Sequence, residues 1–137
     1  MPATSHPEGG ARVEFLRKID FAELNASTGR ATQALLDRES GATTCSVRCI
    51  KTPPGEGSPG GLHTHPVDQL FYVLSGTMNL EIAGQSYSAG PGNLVVFPAG
   101  VPHRNWNGGT EATVHLAISS PLPPVDEPFV RPVAPDA

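Results

Sequence analysis

Charge is scarce in this chain of 137 residues: only 16% are Asp, Glu, Lys or Arg. Nine basic against thirteen acidic residues leave a net charge of −4, and no Lys/Arg cluster follows the chain. A nucleic-acid partner is therefore not expected. Long apolar runs are missing as well. The longest is Leu70–Leu74, far short of a membrane span. Met1–Gly10 contains no apolar core of a secretory signal. Cysteine is limited to Cys45 and Cys49. On one strand these would stand about 13 Å apart, beyond the reach of a disulfide. The expected compartment is a reducing cytoplasm. No helix of ten or more residues and no internal repeat is evident.

Gly and Pro are abundant instead, 15 of each. Together with short alternating apolar runs they indicate many turns between short strands. The length suits one domain. Residues 1–11 read as a flexible tail, 12–120 as the folded body, and 121–137, with its prolines, as an extended tail. Within the body, Val13–Arg17 and Arg30–Arg38 are weak strands, with one helical turn at Phe21–Leu24 between them. Thr43–Thr52 is a clear strand. It places Cys45, Val47 and Cys49 on one face and Ser46, Arg48 and Ile50 on the other. His63–Leu74 is a long strand containing Pro66, which implies a bend or an edge position. Thr77–Ala83, Gln85–Ser88, Leu94–Phe97, His103–Asn107 and Ala112–Ser119 complete the series. Turn signals at this spacing argue for an antiparallel all-β sandwich or barrel.

Four of the five histidines fall in this patterned region: His63, His65, His103 and His115. On a strand, His63 and His65 point to the same face about 6–7 Å apart. Gln69 has the same parity, while Asp68 has the opposite one and should turn away. His103 follows the Pro98–Pro102 turn and comes from a neighbouring strand. Two imidazoles from one strand and a third from another make a plausible cage for a transition metal. A His-x-His pair alone is a weak signal, because exposed strands carry such pairs by chance.

The surrounding residues resemble the cupin family. Gly61, His63, His65 and Gly76 match its first motif. Gly92, Pro98, Gly100, His103 and Asn107 match its second. The resemblance spans residues 61–107 and implies a cupin jelly-roll β-barrel with one metal at its mouth, often as a homodimer. The implied ligands are His63, His65, Gln69 and His103, around one divalent transition metal: Mn, Fe, Zn, Ni or Cu. Gln69 stands where the family usually has glutamate. An amide oxygen can still ligate, but it neither lowers the site's charge nor acts as a base. Four neutral ligands leave a divalent ion its full charge and make it a stronger Lewis acid.

His115 lies on the last strand with Thr113 and Ala117 on its face. The segment Val114–Ser119 resembles the last strand of small manganese-dependent cupin hydroxynitrile lyases, which implies that His115 is a base beside the metal. A structural histidine is the competing reading. Cys45, Val47 and Cys49 are candidates to line the cavity, although inert buried cysteine is the commoner role. Arg48 and Arg104 could bind a substrate carboxylate, although a solvated surface role is the commoner one. Tyr72 should face outward.

The expected function is a metal-dependent enzyme acting on a small organic molecule. In its non-redox form it is a lyase, isomerase or cyclase with His115 moving a proton. A non-heme metal dioxygenase and a non-catalytic ligand-binding cupin are the alternatives.

Overall fold

The computed structural model describes residues 14–58 and 61–134. Among the described residues, ten strands form two antiparallel five-stranded sheets. They are β1 (Ala31–Leu36), β2 (Ser46–Thr52), β3 (His63–Thr64), β4 (Asp68–Ser75), β5 (Met78–Ile82), β6 (Gln85–Ala89), β7 (Leu94–Phe97), β8 (His103–Trp106), β9 (Thr113–Ser120) and β10 (Arg131–Pro132). The first sheet has the order β1-β2-β9-β4-β7 and the second β10-β3-β8-β5-β6. This is the expected all-β jelly-roll sandwich. No helix among the described residues is long and apolar enough to cross a membrane.

The sheets face each other across a core of Ile50, Phe71, Val73, Met78, Leu80 and Phe97. These are the inward members of alternating strands, as pleating requires. A second cluster sits on the outer face of the first sheet. There Leu24 of helix α1 (Phe21–Ala26) packs on Cys49 and Val114. The helix starts at Asp20, whose side chain accepts the Glu23 N–H at 3.0 Å, an N-cap. Tyr72 faces outward and is 40% exposed.

Three sequence expectations need correction. First, the run His63–Leu74 is not one strand. It breaks at His65–Val67, around Pro66, and crosses from the second sheet to the first. Proline cannot donate to a ladder, which favours a break there. Second, Glu14–Arg17 form no strand, and Val13 lies outside the described residues. Arg17 instead ties this segment down, donating to the carbonyls of Leu35 at 2.9 Å and Ser40 at 2.6 Å. Third, the Pro-rich segment after Ser120 is extended but does not leave the barrel. It returns as a strap, and β10 pairs with β3, placing Arg131 opposite Thr64 and Pro132 opposite His63. The N-terminal segment 1–11 lies outside the described residues.

Candidate metal centre and its cavity

His63 and His103 are direct partners across β3 and β8. His65 follows β3 just before the chain crosses between sheets, and Gln69 enters from β4 on the opposite sheet. The three imidazoles form a tight triangle, with centroid separations of 4.7, 4.5 and 4.9 Å. Their ligand nitrogens lie within 4.8 Å of one another, and all three residues are buried.

Each ring is held in the same way. His63 Nδ1 lies 2.6 Å from the Gly61 carbonyl, His65 Nδ1 2.8 Å from the Phe129 carbonyl, and His103 Nδ1 3.0 Å from the Val101 carbonyl. A carbonyl only accepts, so each Nδ1 carries the proton and each Nε2 keeps its lone pair. His103 Nε2 is fully buried and has no hydrogen-bond partner among the described residues. An orphaned buried acceptor within such a cluster fits a bound cation, and backbone carbonyls on the remote nitrogens are the usual outer support of metal-bound histidine. Burial lowers the His103 pKa to about 4 and also lowers that of His65, outweighing the opposing carbonyl bonds. Both rings are therefore neutral, as a ligand must be. The Gln69 side chain lies within hydrogen-bonding reach of His65. Asp68 turns away, as its parity predicts, and accepts the Ala99 N–H at 2.8 Å.

His63, His65 and Gln69 open onto a cavity of about 390 Å³, enough for a small organic molecule. Its apolar wall includes Ile50, Phe71 and Phe129. Phe129 also stacks on the His65 ring at 4.0 Å and 19°.

The face of β2 that looks into the cavity carries Arg48 and Ile50, not the cysteines. Cys49 belongs to the outer cluster beneath α1, and burial pushes its thiol pKa up. The cavity-lining expectation for Cys45, Val47 and Cys49 is corrected accordingly. Arg104 stays on the surface, paired with Glu81 at 2.9 Å and lying over Trp106 at 4.7 Å. Asn107 is structural: its amide donates to the carbonyls of Thr52 and Glu111.

His115 is completely buried but does not line the cavity. Its ring packs 4.1 Å from Phe71, which forms the wall in front of it. Neither of its nitrogens has a partner among the described residues. Burial first, then the charges of Arg30 and Arg48, lower its pKa to about 3. His115 is thus a neutral imidazole behind the cavity wall.

Sequence reasoning missed Arg30 and Phe129, both lining residues. Arg30 has the parity of Thr32 and Ala34, a signal available only once β1 is placed. Phe129 had no signal in a proline-rich stretch.

Residues 49–119, a little more than half the chain, match the cupin domain family. The chain belongs to the cupin family. Solved structures agree on the fold. The polyketide cyclase RemF from Streptomyces resistomycificus is 22% identical, with 99% of this chain and 88% of that one covered and a TM-score of 0.66. An RmlC-like cupin with a double-stranded β-helix fold from Methanocaldococcus jannaschii is 17% identical, with 80% and 93% covered and a TM-score of 0.65. KdgF from a Halomonas species is 22% identical, with 69% and 82% covered and a TM-score of 0.59. No curated protein sequence matches the chain.

Proposed function

We propose that this cupin is a metal-dependent enzyme for a small organic molecule, of the lyase, isomerase or cyclase type. The observation that carries the reading is the shared orientation of His63, His65 and His103. All three give Nδ1–H to backbone carbonyls, which leaves the ring lone pair on Nε2, and their ligand nitrogens lie within 4.8 Å of one another in one buried cluster. These three residues would hold a divalent transition ion, with the Gln69 amide oxygen as the fourth donor. Bound there, such an ion supplies Lewis acidity that polarises a substrate carbonyl or hydroxyl. The protein's own contribution is the rest of the cavity. Ile50, Phe71 and Phe129 exclude water from the apolar body of the substrate and orient it.

The non-redox class is supported by Gln69, which brings no carboxylate base of the kind a flavonol-type dioxygenase would need. RemF, whose likeness extends over nearly the whole chain, is a polyketide cyclase, and we carry ring closure over as one member of the class. His115 enters this reading as a neutral ring behind Phe71, so a proton-transfer role would require Phe71 to move aside.

The test is turnover of a panel of small carbonyl and hydroxyl compounds by metal-free protein and by protein reloaded with single first-row ions, each under air and under argon. The proposal expects activity that returns with the ion and is unchanged under argon. Activity that needs O₂ would move the protein to the dioxygenase class. Tight ligand binding without turnover would make it a binding cupin.

A further inference from the structure

The cavity carries positive charge that no acidic side chain in its wall balances. Arg48 lines it from the inner face of β2. Its direct partners on the two adjoining strands are Ala34 and Ala117, so small side chains flank the guanidinium on that face. The Arg48 side chain makes no hydrogen bond or ion pair among the described residues. Arg30, one residue ahead of β1, lines the same cavity. Its Nε is buried and has no partner there. Glu56 is the acidic group whose charge acts on Arg30; its carboxylate accepts the Arg30 backbone N–H at 3.2 Å and is not part of the wall. Among the described lining residues there are two arginines and no Asp or Glu. Gln69 is neutral, and Asp68 is turned outward to Ala99.

Two like charges brought together in a half-buried wall are unfavourable unless something of opposite sign joins them. A carboxylate does so best, because its two oxygens match the planar N–H fork of a guanidinium. The wall beside the arginines is apolar and partly aromatic, with Ile50, Phe71 and Phe129. We propose that the substrate is a carboxylic acid with an apolar or aromatic body, its carboxylate held by Arg30 and Arg48 and the rest of the molecule directed toward the three histidines. This deepens the proposed function and rests on its small-molecule cavity. The arginine pair is nevertheless a separate element and can be tested without a metal.

The probes are salicylate and its neutral isostere salicylamide, titrated into ¹⁵N-labelled protein, metal-free and metal-loaded. The Nε–H signals of Arg30 and Arg48 are assigned with Arg30→Gln and Arg48→Gln. Both signals should move with salicylate and stay still with salicylamide, in both forms of the protein. Salicylate affinity should fall about tenfold in Arg48→Gln and be unchanged in Arg104→Gln, which alters an arginine outside the cavity. No movement up to the solubility limit of salicylate, or an equal response to the amide, would overturn the inference. The wild-type signals decide this even if an arginine variant folds poorly. Metal uptake is measured in parallel. Salicylate binding without metal uptake would sink the metal reading and leave this inference standing, whereas uptake without preference for the anion would sink this inference alone.

Discussion

Phe129 holds His65 in two ways at once: its ring stacks on the imidazole at 4.0 Å, and its carbonyl accepts the Nδ1–H at 2.8 Å. The residues are 64 positions apart, so a histidine of the first motif is oriented by the C-terminal strap. Truncation after Ser120 removes both contacts, while Phe129→Ala removes only the stack. Loss of such outer support typically costs 10–100-fold in metal affinity. We expect about that loss on truncation and a smaller one for Phe129→Ala, read by competition with a chromophoric chelator. Equal affinity in all three proteins would deny the strap its role.

Gln69 is the one neutral amide among the four expected donors. Gln69→Leu should weaken ion binding by about tenfold, within the range for loss of a supporting partner. Gln69→Glu should tighten it, because a carboxylate adds a favourable charge. The same chelator competition reads both. An unchanged affinity in Gln69→Leu would remove Gln69 from the ligand set.

That His63, His65 and Gln69 share a cavity was legible from parity, with His103 added by the cupin resemblance, although the geometry behind it was not. A continuous strand and a chain that crosses sheets at Pro66 both bring these side chains to one cavity, and parity alone does not separate them. On β2, alternation defined two faces but not which one turns inward. The cysteine face looked like the core face because it is apolar. Of that face Cys49 is indeed buried, but under Leu24 of a six-residue helix. The inward face carries Arg48, a residue that hydrophobic patterning assigns to solvent. Phe129 was illegible because a contact across 64 residues leaves no local period.

His115 links burial to pH. Its pKa falls from 6.5 unfolded to about 3 folded, so the folded state binds its proton less readily than the unfolded chain. The stability it allows is fully present above about pH 6.5 and is lost as pH falls toward the folded value. The urea midpoint should therefore drop between about pH 7 and about pH 5. His115→Leu should reduce that drop without abolishing it, because His103 and His65 are shifted in the same direction. It should also hold or raise stability at neutral pH, because two unpartnered buried nitrogens disappear, each a group whose burial costs about 1–3 kcal/mol. A variant with the wild-type slope would show that His115 is not the group responsible.

Gly76 ends the first motif with φ +75°, and a Cβ there would meet the Ala112 carbonyl oxygen at 2.5 Å. Backbone and contact both oppose any side chain. Gly76→Ala should cost about 2 kcal/mol or more, seen as a lower thermal midpoint, while Gly84→Ala, at φ +82° with open space around it, should cost less. Equal losses would mean that the Ala112 contact contributes nothing.

The central claim is that His63, His65 and His103 form a metal site, and metal content tests it most directly. Protein purified without an affinity tag is analysed for first-row ions as isolated and after dialysis against each, beside His103→Ala. The account predicts close to one divalent ion per chain, lost in the variant. No uptake by the wild type, or the same uptake by His103→Ala in folded form, would contradict it.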